Sequence, residues 1–208
     1  MSIQVSIQAV HEREILVEKL LERLGEEFDA VRVFYDNEHR GSWWNLQRIL
    51  RNTDSVHTHH LVLQDDVVIS EGFGYNVGAI GELMKGKFVT FFANRKEVKD
   101  ALDKGLQWAP LSNFLGGQAV MFPCERINDF LCFVDNYPWT IKMTGKNFWK
   151  HDDIRLQLYL KEKKERIWCT VPNLVEHSHV QSVIGNHSRI PNRARVFDIN
   201  IGKKEWKL

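Results

Sequence analysis

The stretch His59-His60-Leu61-Val62-Leu63-Gln64-Asp65-Asp66-Val67 limits most tightly how this chain can fold. Three aliphatic residues that run straight into two carboxylates read as a strand buried on both faces, the kind found in parallel sheets. Ligands of open α/β sheets bind beyond the carboxyl ends of such strands. Two acids there either open a surface turn or hold a hard divalent cation and, through it, a pyrophosphate.

The flanking sequence supplies a matching framework. Ile3, Val5, Ile7 and Ala9 alternate with polar neighbours, which is strand periodicity. Leu16, Leu20 and Leu24, with Val17 and Leu21 beside them, form a helical stripe over His11 to Arg23 that Gly25 closes. Val31 to Tyr35 is a second strand ending at Asp36, so the opening is a βαβ unit. Asp36 to Trp44 is polar and turn-rich, a place to receive a base or sugar, and Asn45 to Arg51 reads as a short helix. Beyond the acidic pair, Gly72, Gly74 and Gly78 precede a helix through Ile80, Leu83 and Met84. Phe88 to Phe92 is a fourth strand and Lys96 to Gly105 a charged helix. Gly116-Gly117 leads into the apolar Ala119 to Phe122, a helix follows over Ile127 to Val134, and Trp139 to Trp149 is an aromatic loop. Ile154 to Leu160 alternates like a strand, yet Asp152 and Asp153 before it suit a helix N-terminus. Periodicity leaves both open. Ile167 to Val171 is a late strand that Pro172 closes. The fold class expected is α/β, a mixed, mostly parallel central sheet flanked by helices.

Composition narrows the class of partner. A chain of 208 residues suits one domain with at most a small extension. Its net charge of +1 gives no overall pull toward nucleic acid or membrane, so such a partner would need a local patch. Cys124, Cys132 and Cys169 are odd in number, with no paired zinc spacing, and imply reduced thiols in a cytoplasmic setting. No signal peptide is evident, and no apolar run approaches the ~18 residues that span a bilayer, so no membrane anchor is expected. Trp43, Trp44, Trp108 and Trp149 are candidate sugar or base platforms, or core residues.

Four constellations carry chemistry. Asp65-Asp66 is the first. Asp152-Asp153 is the second, a general base near an acceptor hydroxyl or a plain helix cap. His177, in Glu176-His177-Ser178-His179, is either one nitrogen ligand for a metal or a surface histidine. Gly116-Gly117 lets backbone approach a ligand or simply turns.

In their order these pieces resemble the GT-A fold of nucleotide-sugar glycosyltransferases, particularly the family-2-like group. The resembling segments are Leu61 to Asp66, Leu115 to Phe122, His151 to Leu156, and Val171-Pro172-Asn173-Leu174-Val175-Glu176-His177. The usual acidic motif is Asp-any-Asp. Here Gln64 holds its first position, which leaves Asp66 as the metal ligand. The resemblance implies a single catalytic domain over 1–186, with a nucleotide-sugar half (1–105) and an acceptor half (106–186), followed by a basic extension, 187–208. It implies Mn²⁺ or Mg²⁺ held on a donor diphosphate by Asp66 with His177. Asp65 would lie near the donor ribose or sugar, Asp36 on its base or ribose, and Arg13, Gly116 and Gly117 against the donor. Asp153, with Asp152 as the second choice, would deprotonate the acceptor with inversion. The acceptor would be a saccharide or a hydroxylated base in DNA, as for some phage enzymes. His187, Arg189, Arg193 and Arg195, followed by Lys203, Lys204 and Lys207, are a flap that clamps the diphosphate through Arg189, a contact for a nucleic-acid acceptor, or a solvated end.

Two other classes compete. Val67-Val68-Ile69-Ser70 before Gly72, Gly74 and Gly78 imitates a dinucleotide-binding turn, with Arg95 available for a 2′-phosphate, as in an NAD(P)-dependent oxidoreductase. The basic tail and the tryptophans also fit a non-catalytic nucleic-acid-binding module.

Overall fold

The computed structural model describes residues 2–114, 116–139, 152–178 and 193–208. Among the described residues nine strands are defined: β1 (Ile3–Ala9), β2 (Val31–Tyr35), β3 (His59–Gln64), β4 (Val67–Ile69), β5 (Val89–Thr90), β6 (Trp108–Leu111), β7 (Ala119–Pro123), β8 (Ile167–Thr170) and β9 (Val175–His177). The helices are α1 (Glu14–Gly25), α2 (Ser42–Arg51), α3 (Phe73–Leu83), α4 (Lys96–Asp103), α5 (Cys124–Asn136) and α6 (Asp152–Glu162). A 3-10 turn, His11–Arg13, links β1 to α1.

Seven strands form one sheet in the order β2-β1-β3-β7-β5-β8-β6, and β4 pairs with β9 in a separate ribbon. β1 runs parallel to β2 and β3, β7 is antiparallel to β3 and β5, β8 is parallel to β5, and β6 is antiparallel to β8. Five strands therefore share one direction, with β7 and β6 reversed. The protein is α/β, with a mixed sheet flanked by helices. The sheet interleaves the two expected halves, because β7 (Ala119–Pro123) lies between β3 and β5.

Two apolar layers hold the sheet. Along a strand, successive side chains face opposite ways. Leu61 and Leu63 of β3, with Ala119 and Met121 of β7, pack under α1 and α3. Val62, Val120 and Phe122 pack under α2, α5 and α6. The alternation in β1 has a different meaning from the usual solvent-facing one. Gln4, Ser6 and Gln8 are buried too, because α2 and the chain after it cover that face. Their polar atoms find partners: Ser6 Oγ lies 2.8 Å from His60 Nε2, Gln4 Nε2 donates to the Asn52 carbonyl (3.0 Å), and Gln8 Nε2 donates to the Ser42 carbonyl (2.9 Å).

Some elements differ from expectation. Ser42 to Trp44 join α2 rather than the preceding loop. β6 forms over residues that carry no expected element, and α6 settles the ambiguous stretch as helix. The aromatic loop from 140 onward, with Trp149, lies outside the described residues, as do Leu115, His151, His179, His187 and Arg189. The described end of the tail is packed rather than solvated. Trp206 is 7% exposed, rests 5.3 Å from the Trp108 ring, and donates from Nε1 to Asn76 Oδ1 (3.0 Å). Asn76 also receives Lys204 N (3.0 Å) and donates to the Gly72 and Gly202 carbonyls (2.9 and 2.7 Å).

Candidate functional site

β3 delivers Asp65 and Asp66 into a two-residue turn before β4. Both carboxylates turn inward, each side chain 5% exposed. Arg13, in the 3-10 turn after β1, reaches both: its Nη1 donates to Asp65 Oδ1 (2.8 Å) and to Asp66 Oδ2. Asp65 Oδ2 accepts the Val10 amide (2.9 Å). The antiparallel β4–β9 ribbon sets Val67 opposite His177, and Ser178 N donates to the Asp66 carbonyl (2.7 Å). That register brings His177 Nε2 to 3.2 Å from Asp66 Oδ2. Arg13, Asp65, Asp66 and His177, four residues predicted from the sequence, therefore form one cluster.

Its electrostatics follow from the count of cationic partners. Burial pushes the Asp65 carboxyl up, and Arg13 with the Val10 amide only partly offsets this. Burial pushes Asp66 up as well, but His177 and Arg13 together hold it below the usual range. The Asp66 bond raises His177, against burial. His177 Nδ1 faces the Ser178 carbonyl at 2.6 Å, which assigns that nitrogen the proton and turns Nε2 toward Asp66.

Among the described residues, no three His, Cys, Asp or Glu side chains lie close enough together to hold a metal by themselves. Hard divalent ions that meet phosphate need only one or two protein carboxylates, with phosphate and water completing the shell. Asp66 Oδ1 is buried and has no hydrogen-bond partner. It is an anionic oxygen beside the His177 imidazole, whose Nε2 would ligate only after giving up the proton it shares with Asp66. Asp66 and His177 thus fit the expected Mn²⁺ or Mg²⁺, whereas both oxygens of Asp65 are taken.

The second acidic pair opens α6. Asp152 Oδ1 accepts Asp153 N (2.8 Å) and Asp153 Oδ1 accepts Ile154 N (2.8 Å), first-turn contacts that favour carboxylates at a helix N-terminus. Asp153 Oδ2 also accepts the Gly116 amide (2.9 Å). Gly116 has φ +120°, a region closed to side chains in most settings. A Cβ on Gly117 would come within 3.1 Å of Asp152 Oδ1. The glycine pair therefore serves this acidic pair, not the one at 65–66. Burial, then the Asp153 charge, pushes the Asp152 carboxyl up to about 7.

Asp152 and Asp153 line a small, half-open pocket of about 10 Å³, room for about one water, with Gln8, Leu46, Val62, Phe114, Gly117, Val120, Phe122 and Leu156 around it. Nothing in the sequence singles out Gln8, because a polar residue in an alternating strand looks solvated. It joins the two acidic centres: its carbonyl accepts Asp65 N (3.1 Å), its side chain lines the cleft, and its Oε1 is buried without a partner.

The remaining candidates sit elsewhere. Asp36 lies at the end of β2, but its carboxylate accepts Arg40 N (3.0 Å) and Gly41 N (2.7 Å), so it shapes the loop before α2. Trp44 is flanked by Arg40 and Arg48 at 4.6 and 4.5 Å, and Trp108 is core. At the start of α3, Glu27 Oε2 accepts Gly74 N (2.8 Å) and Tyr75 N (3.4 Å), filling with a carboxylate the place a dinucleotide phosphate would take.

None of the described helices is long and apolar enough to cross a membrane. No protein-family model matches the chain, and no curated protein matches it.

Proposed function

We propose that this chain is a GT-A-type glycosyltransferase of the family-2-like group, moving a sugar from a nucleotide-diphosphate donor to an acceptor hydroxyl. The observation that carries the reading is the meeting of Asp66 and His177 at 3.2 Å beside an unpartnered buried carboxylate oxygen, at the strand ends of an α/β sheet. The adjoining cleft with Asp152 and Asp153 supports it from the acceptor side. Asp66 and His177 would hold Mn²⁺ or Mg²⁺, which neutralises charge on the departing diphosphate. Arg13, already bonded to both acids, adds a fixed positive charge at the donor end. In the cleft a carboxylate takes the acceptor hydroxyl proton. The acceptor oxygen forms its bond to the anomeric carbon from the opposite face, and the sugar–phosphate bond breaks with its electron pair leaving on the diphosphate. The ring carbon is inverted.

Asp152 replaces Asp153 as the preferred base. Its elevated proton affinity suits transfer near neutral pH, whereas Asp153 is engaged by the Gly116 and Ile154 amides. The test is release of nucleoside diphosphate from nucleotide-sugars against saccharides and against DNA with hydroxylated bases. Asp152→Asn is expected to lower turnover by about 10²–10⁴-fold, the span typical of a lost general base. Full turnover in that variant would remove the assignment.

A further inference from the structure

A cation is built in beside the cleft. Arg155 follows Asp152 by three residues on α6, so the two share one helix face. Arg155 is 5% exposed, and its guanidinium carbon lies 4.8 Å from the Trp43 ring centre and 4.7 Å from that of Trp139. Each indole is itself anchored. Trp43 meets Phe130 edge-on at 5.9 Å, while Trp139 Nε1 donates to the Val134 carbonyl (3.0 Å) and its ring lies 4.6 Å from that of Tyr137. Planar guanidinium stacks well on aromatic faces and holds its charge there. The cation is thus fixed by α2, the end of α5, and α6.

Among the described residues, the charges that act on Asp152 are Arg155 and Asp153. The remaining walls are uncharged: Gln8 of β1, Val62 of β3, Val120 and Phe122 of β7, Leu46 of α2, Phe114, Gly117 and Leu156. We infer that Arg155 is a positioning residue for Asp152, and that the Trp43–Trp139 sandwich keeps its charge at a set distance so that the buried carboxyl can ionise near neutral pH. Burial and the second acid oppose ionisation of that carboxyl, the Asp153 amide on its Oδ1 favours it, and the Arg155 charge adds to the amide's effect. Burial lowers the Arg155 guanidinium to about 10, which still leaves it a cation at neutral pH. The catalytic consequence rests on the glycosyltransferase reading, while the coupling itself is a property of the protein without ligands.

Carboxyl ¹³C NMR titration of the ligand-free protein tests it, with the Asp152 resonance assigned by its loss in Asp152→Asn. Arg155→Met is expected to raise the Asp152 midpoint by about one pH unit. Arg155→Lys restores most of the original value, and Trp139→Leu gives a smaller rise because the cation is less confined. An unmoved midpoint in a natively folded Arg155→Met protein overturns the inference, as does a Lys variant that shifts as far as Met. If Arg155→Met does not fold, Trp139→Leu decides, and an unmoved midpoint there overturns it. The readout needs no transfer activity. A chain that transfers no sugar but shows these shifts therefore fails the functional reading alone, and a chain that transfers sugar without them fails this inference alone.

Discussion

Asp152 is where residue chemistry and stability meet. Its folded-state proton affinity lies above its unfolded one, so the folded protein binds more protons over that interval. The stabilisation is full below the unfolded value near 3.8 and disappears as pH rises through about 7. Asp152→Asn removes this dependence. Relative to wild type, the variant should match at pH 3.5 and be more stable at pH 8, by an amount on the order of 2–4 kcal/mol. Urea midpoints at both pH values check this, and parallel pH profiles for the two proteins would contradict it. Asp66 has the opposite shift because two cationic groups face it, and Asp65 has only one. The sequence exposes both acids as a pair but not this division, since Arg13 lies 52 residues away from Asp65 and His177 in another strand. Gln8 and Arg155 are hidden for a related reason. A polar residue in a strand and an arginine in a helix both look solvated until α2 and two indoles cover them.

Elements are legible where one periodicity dominates. β3 is, because a continuous apolar run into acids has few other readings. α6 is not. Ile154, Leu156, Leu158 and Leu160 fall in an alternating register, while the buried set Asp152, Ile154, Arg155, Leu156, Tyr159 and Leu160 is dominated by helical i, i+3 and i+4 spacing. Arg155 and Asp152 supply part of that face, so hydrophobicity alone does not reveal it. β6 is masked by Pro110 and by its shortness. The C-terminal segment reads by its charges, yet one aromatic decides its place. Trp206 packs on Trp108 and bonds Asn76, which joins the turn at Gly72 to the tail. Trp206→Ala should cost about 3–5 kcal/mol, as large aromatic deletions in cores do. Trp206→Phe, which keeps a ring and loses the Asn76 bond, should cost less. Equal urea midpoints for wild type and Trp206→Ala would show that the tail contributes nothing to the core.

At the scale of the whole molecule, the sheet gathers at one end residues that are far apart in sequence. β1 leads through Gln8 to Arg13, β3 to Asp65 and Asp66, and the β4–β9 ribbon returns His177 to them. The reversed strand β7 lies beside β3, and its glycine-bearing approach holds Asp152 and Asp153 against the same end. On the proposed reading, one centre would take the donor and the other the acceptor, and orienting two reactants in this way removes much of the entropic barrier. The most direct test is a thermal-shift measurement of nucleotide-sugar binding, with and without Mn²⁺, on wild type and Asp66→Ala. A ligand present at one hundred times its dissociation constant stabilises the native state by about 2.7 kcal/mol. Wild type is expected to show a rise in Tm with nucleotide-sugar and Mn²⁺ together, lost on adding EDTA and absent in Asp66→Ala. A rise that persists undiminished in EDTA, or one given by NADPH and by no nucleotide-sugar, would contradict the metal-bridged donor site.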